Sequence, residues 1–236
     1  MSRVSVDLSN PSPYIENSGM LHRFKRRLTY SFAFRLINKF LENHDSLKLL
    51  EIGTGSGFFL DFCRSKFKGA SLYGLEYDQR LLEVTRARVP TAICKQGNAE
   101  SFEFERPEFF DVIASFQVIE HLYEPRLMID LVHKYLKRGG LFIVTSPNLD
   151  GYGAKFLGCR WHGYRDDHVS LKGMNAWTEL ISAGGFECLY SGSTFFSGIP
   201  WANRLPLGIF NWLLLFIFGS LKWTKGESYV GVFRRL

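Results

Sequence analysis

At 236 residues, with 46% apolar and 22% charged side chains, the chain has an ordinary globular composition and is long enough for one α/β domain with a sizeable core. The net charge of +6 is concentrated: from Asn17 to Leu41 there is no acid, and Arg23, Lys25, Arg26, Arg27, Arg35 and Lys39 supply six cations. A nucleic-acid binder carries a broader basic field, so no nucleic-acid partner is expected, and the patch is read as facing phosphates, lipid headgroups or an acidic ligand.

Residues 1–20, with Pro11, Pro13 and several Ser and Asn, suit a flexible arm, and 21–236 read as a single domain. The opening is polar and has no apolar core followed by a cleavage site, so no secretory signal is expected. Phe24, Leu28, Phe32, Leu36 and Phe40 recur every four residues and predict a helix with one apolar face and basic flanks. Buried strands are predicted at Leu47–Ile52, Ser71–Leu75, Thr91–Cys94, Phe109–Ala114 and Leu141–Thr145, separated by segments of helical length. Asp78 is placed as an N-cap and Pro125 in the first turn of a helix whose apolar face is Met128, Leu131, Val132, Tyr135 and Leu136. That helix is predicted to stop at Lys137-Arg138-Gly139-Gly140, with cations at the negative end of its dipole. Such alternation implies right-handed crossovers and a mainly parallel sheet covered on both faces. Cys63, Cys94, Cys159 and Cys188 form no C-x-x-C pair, which fits a reduced, cytoplasmic setting.

In an open parallel sheet, ligands sit beyond the carboxyl ends of the strands. The first strand runs into Glu51-Ile52-Gly53-Thr54-Gly55-Ser56-Gly57, whose alternate glycines let backbone pass close to a bulky ligand. The nicotinamide fingerprint G-x-G-x-x-G needs glycine where this chain has Phe58. About 20 residues on, Glu76 ends the second strand, where a carboxylate can accept from both hydroxyls of a ribose. After the third strand, the Asn98 amide is placed to meet an adenine edge and the Ala99 N–H to donate to a ring nitrogen. Taken alone, Glu76 also reads as a surface acid and Asn98 as a turn former; their order and spacing favour adenosine recognition.

On these residues, together with Phe110-Asp111-Val112-Ile113, Val118-Ile119-Glu120-His121-Leu122, Leu136-Lys137-Arg138-Gly139-Gly140 and Ser146-Pro147-Asn148, the chain resembles a class I S-adenosylmethionine-dependent methyltransferase related to the ubiquinone-biosynthesis O-methyltransferases. The likeness runs from about Leu47 to Phe186. It implies a Rossmann-like, doubly wound, seven-stranded α/β sheet, mostly parallel with an antiparallel last strand, Glu187–Ser193 and Ser228–Arg234 forming the final pair. It implies S-adenosyl-L-methionine as cofactor, with Gly53, Gly55 and Gly57 beneath its methionine and ribose, Glu76 on the ribose, Asn98 and Ala99 at the adenine, and Glu51 and Gln117 in the same site. Relatives usually carry Asp at position 98; Asn98 still accepts through its carbonyl oxygen, and weaker binding is expected.

Methyl transfer from a sulfonium is a direct displacement, so alignment dominates and a base is needed only for a protonated nucleophile. His121 is the candidate base and Glu120 its neighbour or orienter; Glu-His also reads as turn geometry. Some quinone O-methyltransferases resemble this region with Glu-x-x-Glu-His and a divalent metal, but Gln117 replaces the first carboxylate, and no metal is expected. In the segment Cys159–His168, Trp161, Tyr164 and His168 are read as shaping the acceptor pocket, the alternative being a surface loop with one packed tryptophan. The spacing of Cys159, His162 and His168 matches no strong zinc pattern.

An acid-free stretch from Cys188 to Gly226 separates the last two strands, where an apolar insertion is placed at about 200–225. Its centre, Ile209 to Phe218, is flanked by Trp201, Trp223, Arg204, Lys222 and Lys225 and contains Trp212, the dress of a membrane interface. The run is about half of the roughly 20 residues that span a bilayer, so lying in the interface is expected. The alternative is packing into the protein or a dimer partner. The expectation is a methyltransferase acting on a small-molecule or lipid-linked acceptor, cytoplasmic and peripheral on the inner face of an anionic membrane; a catalytically inactive binding protein and a nicotinamide-dependent oxidoreductase are the alternatives.

Overall fold

Stretches that are apolar at successive positions form strands buried on both faces, because helices cover the sheet above and below. The computed structural model describes residues 20–41, 46–195 and 207–236. The strands are β1 (Lys48–Ile52), β2 (Ser71–Glu76), β3 (Ile93–Gln96), β4 (Phe110–Phe116), β5 (Leu136–Pro147), β6 (Phe186–Ser193) and β7 (Ser228–Arg235). The helices among the described residues are α1 (Met20–Phe40), α2 (Phe58–Lys66), α3 (Gln79–Arg88), α4 (Pro125–Tyr135), α5 (Tyr152–Leu157), α6 (Met174–Ser182) and α7 (Leu207–Phe218). The sheet has the order β3-β2-β1-β4-β5-β7-β6. It is parallel from β3 to β5, and β7 runs antiparallel between β5 and β6, as expected. The order reverses between β1 and β4, which opens a crevice at their carboxyl ends.

Neighbouring strand residues go to opposite cores. Leu50, Ile113, Phe142, Val144 and Phe233 pack with Met128, Val132 and Tyr135 of α4 and Trp177 and Ile181 of α6. Leu49, Val112, Ala114, Ile143 and Val232 pack with Phe32, Leu36 and Ile37 of α1 and Phe59, Leu60 and Cys63 of α2. The helix expected from its four-residue spacing is α1, with Leu28, Phe32 and Leu36 buried; the side chain of Phe24 lies outside the described residues, as does the expected arm over residues 1–19.

Asp78 caps α3 by accepting from the Arg80 N–H, and Pro125 opens α4. The end of α4 differs from expectation. It stops at Tyr135, and Leu136 already pairs with Phe110 in the sheet while the Lys137 ammonium meets the Asp111 carboxylate at 2.5 Å. Lys137 and Arg138 therefore belong to the irregular start of β5, where the sheet competes successfully for the backbone. The third strand lies two residues later than predicted, because this edge strand is exposed (Ile93 is 61% exposed) and burial patterning does not mark its bounds.

The insertion between β6 and β7 contains α7, which lies on α1. The Arg35 guanidinium donates to the Ile217 carbonyl at 3.1 Å, and a Cβ on Gly219 would fall 2.5 Å from the Phe32 ring. Among the described residues, no helix is long and apolar enough to cross a membrane. Trp201 and Arg204 lie outside the described residues, as does the side chain of Trp212.

Candidate active site

β1 runs straight into the glycine turn. Gly53, with φ of +75°, sits so close to the next crossover that a Cβ would lie 2.3 Å from Val118 Cγ2. Gly55, φ +53°, is different: a Cβ there would meet nothing within 4 Å, so its backbone borders open space. The turn is held from outside by α3. The Thr85 hydroxyl donates to the Gly55 carbonyl at 2.8 Å, and Arg88 donates to the Ser56 carbonyl at 2.7 Å while lying over the Phe58 ring.

Two buried carboxylates flank this turn. Glu76 accepts from Gly55 N–H at 2.7 Å on one oxygen and from Tyr77 and Asp78 N–H at 2.9 and 3.0 Å on the other. Burial raises its pKa, and the three backbone donors partly offset that rise. Three of the carboxylate's roughly four acceptor sites are thus taken, and the oxygen bound to Gly55 N–H keeps one for a hydroxyl donor. Glu51, inside β1, is buried, and its Oε2 has no hydrogen-bond partner. Burial, reinforced by the charge of Glu76, holds it well above the ordinary carboxylate range.

Beyond β2 and β3 lies a cavity of about 520 Å³ lined by Tyr77, Asp78, Gln79, Arg80, Gln96, Gly97 and Asn98, a volume suited to a small ligand. Asn98 borders it, but its side-chain carbonyl accepts from Glu100 N–H at 2.8 Å. That bond closes an Asx turn on one lone pair of the amide oxygen, so Asn98 shapes the loop that carries Ala99 and keeps a second acceptor site.

On the other side of the switch, β4 is followed by Gln117, a non-glycine residue with φ of +57°. Its N–H donates to the Thr145 carbonyl at 3.0 Å and its side-chain amide reaches Thr145 Oγ1 at 3.3 Å. A 3-10 turn, Ile119–His121, follows. Glu120 is wholly buried, neither oxygen has a hydrogen-bond partner, and burial pushes its pKa up to about 8. His121 is half-buried; its Nδ1 lies 2.9 Å from the Asp167 carbonyl, and its ring meets that of His168 edge-to-face at 4.6 Å. Burial, followed by the neighbouring His168, lowers the His121 pKa.

The loop carrying His168 is anchored from beneath. Trp161 is 1% exposed and donates from Nε1 to Glu227 at 2.7 Å, while Glu227 also accepts from Gly153 N–H at 2.8 Å. Trp161 therefore supports the loop, and its buried ring offers no face to an acceptor; Tyr164 is 45% exposed. His168 donates from Nδ1 to the Gly163 carbonyl at 2.8 Å. Asn148 ties the same region together, donating to the carbonyls of Thr224 and Gly226 and accepting from Met174 N–H. Thr85, Arg88, Asp167 and Glu227 were not predicted as site residues. None lies in a local motif, and only Glu227 stands out, as the acid that ends the acid-free stretch.

A model of the methyltransferase domain matches residues 22–191. The chain is 31% identical over 140 residues to a Mycolicibacterium smegmatis protein named "probable S-adenosylmethionine-dependent methyltransferase", covering 59% of this chain and 51% of the relative. It is 30% identical over 125 residues to a ubiquinone biosynthesis O-methyltransferase of Aliivibrio fischeri, covering 49% and 53%. The chain thus spans about half the length of these curated relatives. A crystal structure of an S-adenosylmethionine-dependent methyltransferase from Mesorhizobium loti superposes with a TM-score of 0.62 at 16% identity, covering 86% of this chain and 97% of that one, a likeness of fold.

Proposed function

The chain belongs to the methyltransferase domain family, whose cofactor is S-adenosyl-L-methionine, and we propose that it transfers the cofactor's methyl group to a small or lipid-linked acceptor at a membrane surface. The observation that carries the reading is the cradle at Gly55, where backbone borders open space and Glu76 is fixed to the same turn. The residues fit the cofactor: the open position at Gly55 admits a ligand a side chain would exclude, Glu76 has acceptor capacity for a ribose hydroxyl, and the orphaned Oε2 of Glu51 is a buried polar atom a cationic amino acid moiety would satisfy.

When bound, S-adenosylmethionine supplies a methyl group on a sulfonium, which leaves as a neutral thioether. The protein's task is to align and to manage the acceptor's proton. A carbonyl only accepts, so the hydrogen bond to Asp167 puts the His121 proton on Nδ1 and leaves Nε2 with its lone pair. Burial lowers the ring's pKa, which favours the neutral form able to take a proton from an acceptor hydroxyl, and the Asp167 carbonyl orients the ring, to which the neighbouring Glu120 carboxylate makes no hydrogen bond. This reading puts Tyr164, which is exposed, and His168, whose ring meets that of His121, on the acceptor side. In calorimetry the purified chain should bind S-adenosylmethionine and not NADH; a folded protein that binds neither supports the inactive-protein reading, and one that binds NADH supports an oxidoreductase. Mass spectrometry of extracts with and without the active gene should reveal an acceptor differing by one methyl.

The lipid-linked part of the reading is supported by the pairing of α7 with α1. Ile209, Phe210, Leu213 and Ile217 share an exposed face of α7, and Arg27, Arg35, Lys39, Lys222 and Lys225 are exposed on α1 and beside β7. An apolar helix face beside cations is what an anionic interface binds, and burying three such side chains contributes roughly 5 to 9 kcal/mol before ordering costs. The intact chain should float with anionic liposomes, less so at high salt, and a chain with 207–221 replaced by a short Gly/Ser loop should stay at the bottom of the gradient. An intact, monomeric protein that stays at the bottom overturns the membrane reading.

A further inference from the structure

Between α1 and α2 lies a cavity of about 440 Å³ that shares no lining residue with the cavity beyond β2 and β3. Tyr30, Phe58 and Phe62 line it together with three cations, Arg27 of α1 and Arg64 and Lys66 of α2. We propose that this cavity binds a phosphate ester carrying an apolar group, with the phosphate on the cations and the apolar part on the aromatic rings. The site lies outside the cofactor cradle and does not rest on the methyltransferase reading.

Charge, surface and volume each point to such a ligand. The acid in the lining, Asp61, is bound by Arg64 at 2.6 Å, and Arg27 and Lys66 have no carboxylate partner among the described residues. α1 has nothing with which to neutralise them, since no acid stands between Asn17 and Leu41. Cations gathered round a recess repel one another and raise its potential, which a bound anion relieves. A phosphate takes a guanidinium through two parallel hydrogen bonds and an ammonium as a point charge, the combination that Arg27 and Lys66 offer. The rings supply what an inorganic ion would not need. Tyr30 and Phe62 tilt together with centroids 6.2 Å apart, and the Arg88 guanidinium holds the Phe58 ring 3.9 Å from its centroid, so the apolar wall is built before a ligand arrives. All three rings are half-buried and keep area that a ligand can cover. Lys66 Nζ lies 6.0 Å from the Phe62 centroid, which sets cation and apolar surface side by side. The volume is in the range of small-molecule sites and exceeds what phosphate alone would fill.

The full chain would be titrated by calorimetry with three probes: dihexanoylphosphatidic acid below its micelle concentration, phenyl phosphate and inorganic phosphate. One ester per chain is expected, bound about 10-fold or more tighter than inorganic phosphate because the rings contribute. Whichever ester binds tighter tells a lipid headgroup from a soluble aromatic phosphate, and either supports the site. Arg27→Gln and Lys66→Gln should each weaken the ester by about 10-fold or more, the scale of a hydrogen bond between charged groups. Lys39→Gln removes the same charge from α1 outside the cavity and should leave binding unchanged. Phe62→Ala should weaken the esters and spare inorganic phosphate; should it fail to fold by circular dichroism, the wild-type comparison of ester with inorganic phosphate decides. Absence of saturable binding, equal affinity for the esters and inorganic phosphate, or equal losses in Lys39→Gln and Arg27→Gln overturns the proposal. The chain with 207–221 replaced by a Gly/Ser loop should bind the soluble ester as the wild type does, whatever its behaviour with liposomes. Loss of the ester in that variant would assign binding to α7 and overturn the site. S-adenosylmethionine is titrated separately into the wild type. Failure of that binding with the ester pattern intact would sink the methyltransferase reading and leave this site standing.

Discussion

Along β3, β2 and β1, the cleft is made by the backbone turn from Gly53 to Gly57 and by the carboxylate of Glu76, at the end of the next strand, bound to that turn through Gly55 N–H. Along β4, β5 and β7, it is made by residues that meet only in the fold. His121 leans on Asp167, the loop of Asp167 rests on Trp161, and Trp161 is held by Glu227 at the threshold of β7. The first half depends mainly on backbone conformation, which a short motif specifies. The second depends on a relay of side chains, so it can vary without altering the first, and it can be disturbed from far away.

The contrast is broken most completely at Gly55. Gly55→Val forces a branched residue into φ +53°, at about 1 to 3 kcal/mol, and fills the open cradle, so S-adenosylmethionine binding should vanish while circular dichroism shows an intact fold. Normal binding by that variant would misplace the cradle. Next is Glu227→Ala, which strands two buried donors, Trp161 Nε1–H and Gly153 N–H. At about 1 to 3 kcal/mol each, denaturant unfolding should show a loss of roughly 2 to 6 kcal/mol with cofactor affinity almost unchanged. A comparable loss of cofactor affinity would mean the two halves are not separable. Glu76→Ala should weaken the cofactor by about 1.5 to 3 kcal/mol in calorimetry, the scale of hydrogen bonds to a charged group. An unchanged dissociation constant removes Glu76 from the site. The smallest effect is expected from Thr85→Val, which keeps the shape and loses the hydroxyl bond to the Gly55 carbonyl, weakening the cofactor by about 0.5 to 1.5 kcal/mol; an effect on stability alone would make Thr85 a fold residue.

The same division governs what was legible in the sequence. Strand alternation, the capping Asp78, the glycine turn with Glu76, and the antiparallel place of β7 were readable because each has a local signature or belongs to a family pattern. The end of α4 was not, because the sheet pairing of Leu136 with Phe110 overrides cations and glycines that would suit a helix end. The Asx turn that Asn98 makes with Glu100 N–H is the turn-forming habit its residue type carries in the sequence. Trp161 was read as a surface of the pocket because nothing local shows that its partner is Glu227, 66 residues away. The meeting of His168 with Glu120 and His121 is of the same kind: residues from separate loops have no spacing to recognise.

The insertion bearing α7 leaves and re-enters the sheet at nearly one point. Ser193 pairs with Tyr229 across β6 and β7 and also exchanges both backbone hydrogen bonds with Leu221, at 2.9 and 3.0 Å. The helix is thus spliced into a hairpin whose two strands are already neighbours. Doubling or halving such a loop changes its closure free energy by only about 0.6 kcal/mol, so the catalytic sheet is nearly indifferent to what occupies this position. The position behaves as a socket. A longer apolar helix, a charged one or a bare turn can be installed there while the strands of the sheet keep their register.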